Sequence, residues 1–295
     1  MGLAPASAGN PLSRCETPFL RSLLGGEPLT TEAVGCRPEL ILEPLDAGLG
    51  VDGLPQSATG QTALLTGVNA ARTLGRHQSA LPGAVLRGLL AQHSLFSRLV
   101  DLGLKATFAN AYTDETLERM GEGRGRVSAT TWAVRAADLP LRRARHLETG
   151  SAVAWDVCRD LFSRRTAAPV ERVDPRAAGG HLAAIAADHD FTLFETFLTD
   201  LAGHGRRGLT AAEALRRVDG LLAGVEESRD QSLTWLVTSD HGNLEDSSSG
   251  RHTRHPVPLL VRGPLAEAFS GLESIADLTP RILEVLGSPG EHVPT

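Results

Sequence analysis

Histidine stands close to a carboxylate or a proline-rich strand start at three places in the sequence. Asp200 is followed four residues later by His204, a spacing that puts both side chains on one face of a helical turn. Asp240 is followed at once by His241, and His252 opens the segment His-Thr-Arg-His-Pro. Imidazole and carboxylate ligands suit Zn²⁺ or Mn²⁺. Each residue alone is more typical of a helix cap or of the surface, so the predicted metal site depends on all of them lying together.

A serine, Ser57, opens a run of small residues that ends at Gly67. The run follows Leu54-Pro55 and predicts a helix over 57–66. Free N–H groups and the helix dipole at such an N-terminus favour an anion, for example a phosphate or an alkoxide. A nearby metal ion would activate the serine as a nucleophile. The alternative is that Ser57 is only an N-cap.

Strands and helices alternate around these residues, which indicates an α/β fold. The metal-ligand candidates lie next to predicted strands over 191–197, 233–239 and 256–261. In open parallel sheets, ligands bind beyond the carboxyl ends of the strands. Further elements are predicted as a strand over 105–111 and helices over 16–24, 85–102, 179–187, 210–228 and 279–286.

Composition excludes several classes of protein. The 295 residues include 29 basic and 35 acidic side chains, a net charge of −6, which argues against a nucleic-acid partner. No apolar run approaches the ~20 residues of a membrane span. Cys15, Cys36 and Cys158 are too widely spaced for a metal pair or a disulfide framework. We therefore expect a soluble, cytoplasmic protein.

The motifs together resemble those of the alkaline phosphatase superfamily of two-metal phosphoryl-transfer enzymes. Within it they are most similar to the branch of cofactor-independent phosphoglycerate mutase and phosphopentomutase. The resemblance extends from about residue 50 to the C-terminus and is weak over about 113–180. The segments that carry it, in family order, are the nucleophile helix 57–67, Asp-Leu-Ala-Gly-His 200–204, Asp-His-Gly-Asn 240–243 and His-Thr-Arg-His-Pro-Val-Pro 252–258.

This resemblance implies a three-layer sandwich, with a mostly parallel sheet and helices on both faces, as one metalloenzyme domain over 1–295. It implies two divalent ions, Mn²⁺ or Zn²⁺, and a small phosphorylated substrate. Ser57 would accept the phosphoryl group as a phosphoserine, and water would release it. The implied ligands are Asp200, His204 and His252 for one metal, and Asp240, His241 and Ser57 for the other.

The sequence departs from the family pattern at its start. The family's chain begins with a buried strand that ends in Asp-Gly, and that Asp is a ligand of the metal at the nucleophile. Here the chain begins Met-Gly-Leu-Ala-Pro, so we expect the first central strand to be missing. Asp46 and Asp52 precede Ser57 but do not follow an apolar strand at the expected place. We therefore expect one complete metal site and one depleted site.

The second departure is the lack of room for the large inserted domain of the mutases. Only about 130 residues separate Gly67 from Asp200. The stretch 113–180 is interpreted as a small lid or a surface excursion. Its arginines at 142, 143 and 145 would serve such a lid or form an ordinary solvated basic face.

The leading hypothesis is a metal-dependent phosphomonoester hydrolase acting through Ser57. The alternatives are a phosphomutase and a non-catalytic metal- or phosphate-binding protein that lacks one ligand Asp. A sulfatase is excluded because the positions after Ser57 lack the required Pro and Arg, and the Thr-Phe-Pro of nucleotide phosphodiesterases is absent. Arg76 and His77 are candidates for binding the substrate phosphate, or for interacting with the dipole at a helix C-terminus.

Overall fold

Residues 1–166 and 170–287, which the computed structural model describes, form fourteen α-helices and eight strands. The strands are β1 Gly35–Arg37, β2 Leu40–Leu45, β3 Ala106–Phe108, β4 Ala111–Tyr112, β5 Arg142–Arg143, β6 Phe191–Leu193, β7 Trp235–Val237 and β8 Val257–Arg262. The helices are α1 Pro11–Arg14, α2 Pro18–Leu23, α3 Ser57–Thr66, α4 Ala70–Leu74, α5 Ala84–His93, α6 Leu95–Asp101, α7 Asp114–Gly121, α8 Ala129–Ala136, α9 Arg145–Glu148, α10 Asp160–Ser163, α11 Pro175–Ala187, α12 Leu198–Gly203, α13 Ala211–Ser228 and α14 Leu278–Gly287. The predicted α/β class is confirmed.

The largest sheet has four strands in the order β1-β2-β8-β7, and every neighbouring pair in it is antiparallel. Two further sheets are parallel pairs, β3 with β6 and β4 with β5. The described residues therefore differ from the expected mostly parallel sheet. Parallel neighbours need a long crossover connection, which α7 and α8 supply between β4 and β5. In contrast, β7 and β8 are joined by the loop 238–256 and pair antiparallel.

Helices cover both faces of the four-stranded sheet, because strand β2 sends alternate side chains to two hydrophobic cores. Ile41 and Leu45 are buried in a core that includes residues of α3, α5, α6, α8 and α14. Leu40 and Leu42 are buried in a second core that includes residues of α1, α2 and α13. The helices on both faces give the three-layer arrangement that the resemblance implies.

Two predicted elements are shorter in the structure than their hydrophobic pattern indicates. The helix expected over 85–102 is divided at Ser94, which leaves helical geometry (φ −52°, ψ 129°) and caps α6 by accepting from Ser97 N. The strand expected over 191–197 ends at Leu193, because the side chain of Asn110 forms hydrogen bonds with both the N–H and the carbonyl of Glu195. Its Nδ2 donates to the Glu195 carbonyl at 2.7 Å, and its Oδ1 accepts from Glu195 N at 2.9 Å.

The stretch 113–180 contributes to the main core through α8, where Ala129, Ala133 and Val134 are buried. Arg142 is tied to β3, donating to the Phe108 carbonyl at 3.2 Å. The lid role of a part of this stretch stays a prediction. The single domain over 1–295 also stays a prediction.

The three cysteines are free. Within 1–166 and 170–287, no helix has the length and apolar character needed to cross a membrane.

Candidate metal centre

Ser57 is the first residue of α3, and its Oγ lies 2.9 Å from Nε2 of His241. Gln56 occupies the N-cap position, so the alternative that Ser57 is only a cap is wrong. Two of the N–H groups that were expected to be free at this helix start already have a partner. Ala58 N and Thr59 N both donate to the Gln78 carbonyl, at 3.1 and 3.3 Å. The nucleophile candidate therefore faces an imidazole, and its helix contributes mainly its dipole.

Helix α12 carries Asp200 and ends just before His204. Asp200 Oδ1 lies 3.3 Å from His204 Nε2, as the spacing of four residues predicts. A Cβ added at Gly203 would lie 1.5 Å from Oδ1 of Asn243. The glycine of the Asp-x-x-Gly-His segment is therefore needed to let Asn243 approach both ligands. Asn243 Nδ2 lies 3.5 Å from Asp200 Oδ1 and 3.3 Å from His204 Nε2.

Helix α3 also positions Asp240, which follows strand β7. A Cβ added at Gly60 would lie 2.4 Å from the Asp240 carbonyl oxygen, so only a glycine permits this approach. Gln61, one turn after Ser57, donates from Nε2 to Asp240 Oδ2 at 2.9 Å. The other carboxylate oxygen, Oδ1, lies 3.6 Å from His241 Nε2.

Backbone carbonyls fix the orientation of the histidine rings. His204 Nδ1 bonds the Gly250 carbonyl and His252 Nδ1 bonds the Pro55 carbonyl, each at 2.8 Å. A carbonyl only accepts hydrogen bonds, so each Nδ1 carries the proton and each Nε2 presents a lone pair. Metal-ligating histidines usually donate such a hydrogen bond from the ring nitrogen that does not bind the metal.

The Nε2 atoms converge on Asp200 Oδ1. From that oxygen, His252 Nε2 lies 3.7 Å away and His241 Nε2 4.0 Å away. Asp200, His241 and His252 each offer a ligand atom within 4.8 Å of the others. His204 Nε2 lies 3.3 Å from His252 Nε2. The two ligand sets implied by the resemblance are thus in contact, and Asp200 touches members of both.

The site fits a divalent cation in its electrostatics as well as in its donor set. Burial lowers the pKa of His252, and the neighbouring His241 lowers it further. A histidine must be neutral to ligate, so this shift favours binding at neutral pH. Asn243 Oδ1 is buried and has no hydrogen-bond partner among the described residues, which leaves one further oxygen donor at the centre.

Three residues near the centre were not predicted as site residues. Gln61 and Asn243 stand inside the quoted motifs, but their roles depend on contacts with other elements. Glu195 follows β6, and burial raises its pKa to about 7, partly opposed by a hydrogen bond from Thr130 and assisted by the charge of Asp240. No local pattern in the sequence marks Glu195 as a site residue.

Arg76 and His77 are not brought into contact with Ser57. Arg76 is exposed beyond the end of α4, with no side-chain hydrogen bond or ion pair to a described residue. His77 Nε2 lies 3.3 Å from the Val51 carbonyl. Their role as phosphate ligands stays a prediction.

The upstream acidic residues do not complete the second ligand set. Asp46 accepts hydrogen bonds from Gly48 N and Leu49 N, both at 2.8 Å, and so forms a turn. Asp52 is exposed. Met1 lies beside this part of the centre, its nitrogen donating to the His241 carbonyl at 2.7 Å. The depletion of one metal site stays a prediction.

Comparison with known sequences finds similarity in the C-terminal part of the chain. Residues 177–289 match the model of the Metalloenzyme superfamily, a range that includes every ligand candidate except Ser57. The chain is similar to the 2,3-bisphosphoglycerate-independent phosphoglycerate mutase of Cereibacter sphaeroides, with 35% identity over 114 residues. That match covers 36% of this chain and 22% of the relative. The same enzyme of Aeromonas salmonicida is 35% identical over 98 residues, covering 30% of this chain and 19% of the relative.

Comparison with solved structures shows the fold. The PH0037 protein of Pyrococcus horikoshii aligns over 100% of this chain and 97% of its own, with a TM-score of 0.56 and 13% identity. An alkaline phosphatase from the Antarctic bacterium TAB5 aligns over 83% of this chain and 87% of its own, with a TM-score of 0.51 and 12% identity. The expected alkaline-phosphatase-like fold is confirmed.

Proposed function

We propose that this chain is a metal-dependent phosphoryl-transfer enzyme. Its motifs and its fold resemble those of the alkaline phosphatase superfamily, and residues 177–289 match the Metalloenzyme superfamily. The reaction that we propose is hydrolysis of a phosphomonoester through Ser57. The observation that carries the proposal is the orientation of the imidazoles. His204 and His252 bind backbone carbonyls through Nδ1 and turn Nε2 toward Asp200, and Ser57 Oγ lies 2.9 Å from Nε2 of His241.

The residues of the chain divide the work of such a reaction. Asp200, His204, Asp240, His241 and His252 would hold the divalent cations. Cations bound there supply charge neutralisation for the phosphoryl group and favour the ionised serine. Ser57 is fixed by the first turn of α3, whose dipole favours the incoming anion. Its oxygen forms a bond to phosphorus as the bond to the alcohol breaks. Water then cleaves the phosphoserine to give inorganic phosphate.

The test is hydrolysis of p-nitrophenyl phosphate by the purified chain with Mn²⁺, with Zn²⁺ and with EDTA. We expect turnover that requires metal and that falls at least ~10³-fold in Ser57→Ala. Ser79→Ala, a change at an exposed serine, is the matched control and should retain activity. Full activity of Ser57→Ala, or no turnover by folded, metal-loaded protein, would overturn the proposal. The second outcome would favour a binding-only protein.

A phosphomutase is the second candidate, because the matched curated relatives are mutases. Hydrolysis is favoured because α5, α6 and α8, which follow the nucleophile helix, pack into the same core as α3. No separate substrate-gripping domain is seen among the described residues between α3 and α12. Incubation with 3-phosphoglycerate separates the two reactions. A hydrolase releases inorganic phosphate, whereas a mutase forms 2-phosphoglycerate without releasing phosphate.

A further inference from the structure

Two arginines lie over the indole ring of Trp155. The guanidinium carbon of Arg165 is 5.6 Å from a ring centroid and that of Arg207 is 5.7 Å away. Both distances are within the range of a cation–π interaction. The ring of Phe197 lies 6.2 Å from that of Trp155, tilted by 49°. Trp155, Phe197, Arg165 and Arg207 are called the Trp155 platform below.

The two cations of the platform have no acidic partner. In the part of the chain that the structure describes, neither Arg165 nor Arg207 forms an ion pair or a side-chain hydrogen bond. Other arginines do: Arg217, for example, binds Asp160 at 2.6 Å. Asp156, whose negative charge acts on Arg165, is itself buried and accepts from Leu161 N at 2.6 Å.

The guanidinium groups of Arg165 and Arg207 repel each other, and a bound anion would offset this repulsion. Burial lowers the pKa of Arg165, and the nearby positive charge of Arg207 lowers it further. Both guanidinium groups are on exposed residues, so a ligand can reach them. A guanidinium offers a fork of N–H donors that matches a carboxylate or a phosphate.

Helix α12 places the platform next to the metal centre. Phe197 is the N-cap residue of α12, and Asp200 and His204 follow it by three and seven residues. Phe197 and His204 thus flank the six residues of α12 at its two ends, and Asp200 lies in the first turn. Arg207 follows His204 by three residues in the loop after the helix. The same short element therefore connects the proposed metal ligands to the two unpaired cations.

We propose that Arg165 and Arg207 bind a second anionic group, a carboxylate or a phosphate, on the part of the substrate that is not transferred. This inference rests on the proposed function for the site that receives the phosphoryl group. Trp155 and Phe197 form an apolar wall for the carbon atoms between the two anionic groups. The preferred substrates are thus phosphomonoesters with an acidic tail, and neutral alkyl phosphates are poor ones.

The test compares three esters of equal chain length: propyl phosphate, 3-phosphopropanoate and propane-1,3-diol bisphosphate. We expect the wild-type kcat/KM to be higher for an ester with an acidic tail by about 10- to 100-fold, as charge-assisted hydrogen bonds allow. The ester with the higher ratio identifies the tail as carboxylate or phosphate. In the double variant Arg165→Ala/Arg207→Ala, this ratio to propyl phosphate should fall toward one, chiefly through KM. Arg119→Ala, at an exposed arginine of α7, is the matched control and should keep the wild-type ratio.

A wild-type ratio near one, or an unchanged ratio in the double variant, would overturn the inference. Failure of the proposed function is distinguished by calorimetric titration of the metal-loaded Ser57→Ala protein with the same three esters. Preferential binding of an acidic-tailed ester that requires both arginines would support the platform even without turnover. Equal binding of all three esters would overturn it.

Discussion

The protonation of His204 and of His252 is decided in each case by a backbone carbonyl from another part of the chain. Pro55, two residues before Ser57, supplies the acceptor for His252 Nδ1, and Gly250 supplies that for His204. The loop that leads into the nucleophile helix therefore also orients a metal ligand. Substitutions at residues that orient a metal ligand, without binding the metal themselves, should therefore alter the affinity for the metal.

Gln61 offers the clearest case, because its amide donates to Asp240 Oδ2 at 2.9 Å. We expect Gln61→Ala to weaken the apparent affinity for Mn²⁺ by about 10- to 100-fold, the usual effect of losing a residue that orients a ligand. Titration of the metal-free protein with Mn²⁺ measures this affinity. Gln92→Ala, at an exposed glutamine of α5, is the control. Equal affinities for the two variants would contradict the role assigned to Gln61.

Glu195 should make the stability of the metal-free protein depend on pH. Its pKa is about 7 in the folded chain and 4.5 ordinarily, so between these values the folded state binds a proton that the unfolded state has lost. The free energy of unfolding must therefore fall as pH rises from 4.5 to 7. Glu195→Gln removes this contribution, which we expect to be about 1–3 kcal/mol.

Urea unfolding in EDTA, followed at several pH values, measures this effect. The difference in stability between Glu195→Gln and the wild type should grow in favour of the variant as pH rises, and then level off above 7. Glu148→Gln, at an exposed glutamate, should follow the wild type. Parallel curves for wild type and Glu195→Gln would show that Glu195 is not a buried acid.

At the scale of elements, α12 depends on a close approach between its last turn and the loop 238–256. We expect Gly203→Ala to destabilise the protein by about 1–3 kcal/mol, because a Cβ there would overlap Asn243 Oδ1. Gly88→Ala, in the middle of α5 with no atom within 4 Å of the added Cβ, should instead stabilise by about 0.4–1 kcal/mol. Chemical denaturation of both variants gives the comparison. A stabilising Gly203→Ala would contradict the described packing of α12 on this loop.

The elements near the motifs were predictable from local sequence. Helix α3 begins and ends where the small-residue run predicts, and it stops at Gly67 with a left-handed φ of 73°. Strand β2 was not predicted, because Glu43 and Pro44 interrupt its apolar run. It forms because all six of its residues pair with β8, from Leu40 opposite Arg262 to Leu45 opposite Val257. Such long-range pairing leaves no local signal.

The site shows the same division between local and long-range information. Motif spacing was sufficient to select the metal-ligand candidates that the fold brings together. It could not indicate that the Gln78 carbonyl accepts hydrogen bonds from Ala58 N and Thr59 N of α3, or that Asn110 ends the strand β6. Both effects come from side chains or carbonyls far along the chain, whose positions depend on the complete fold.

At the scale of the whole molecule, the proposed metal centre joins α3, α12 and the loop 238–256. A cation that binds only the folded chain adds about 2.7 kcal/mol of stability at a concentration 100 times its Kd. We therefore expect Mn²⁺ to raise the melting temperature by several degrees and EDTA to lower it. Scanning calorimetry should show that His252→Ala loses most of this response, while His93→Ala, on the exposed face of α5, retains it. An equal response in both variants would place the metal elsewhere.

The covalent state of Ser57 during turnover is the most direct test of the proposed mechanism. The Mn²⁺-loaded protein is mixed with p-nitrophenyl phosphate, quenched in acid and digested, and its peptides are analysed by mass spectrometry. We predict one added phosphoryl group on the peptide that contains Ser57, absent with EDTA and in Ser57→Ala. Steady turnover with an unmodified Ser57, or with the phosphoryl group on another residue, would contradict it.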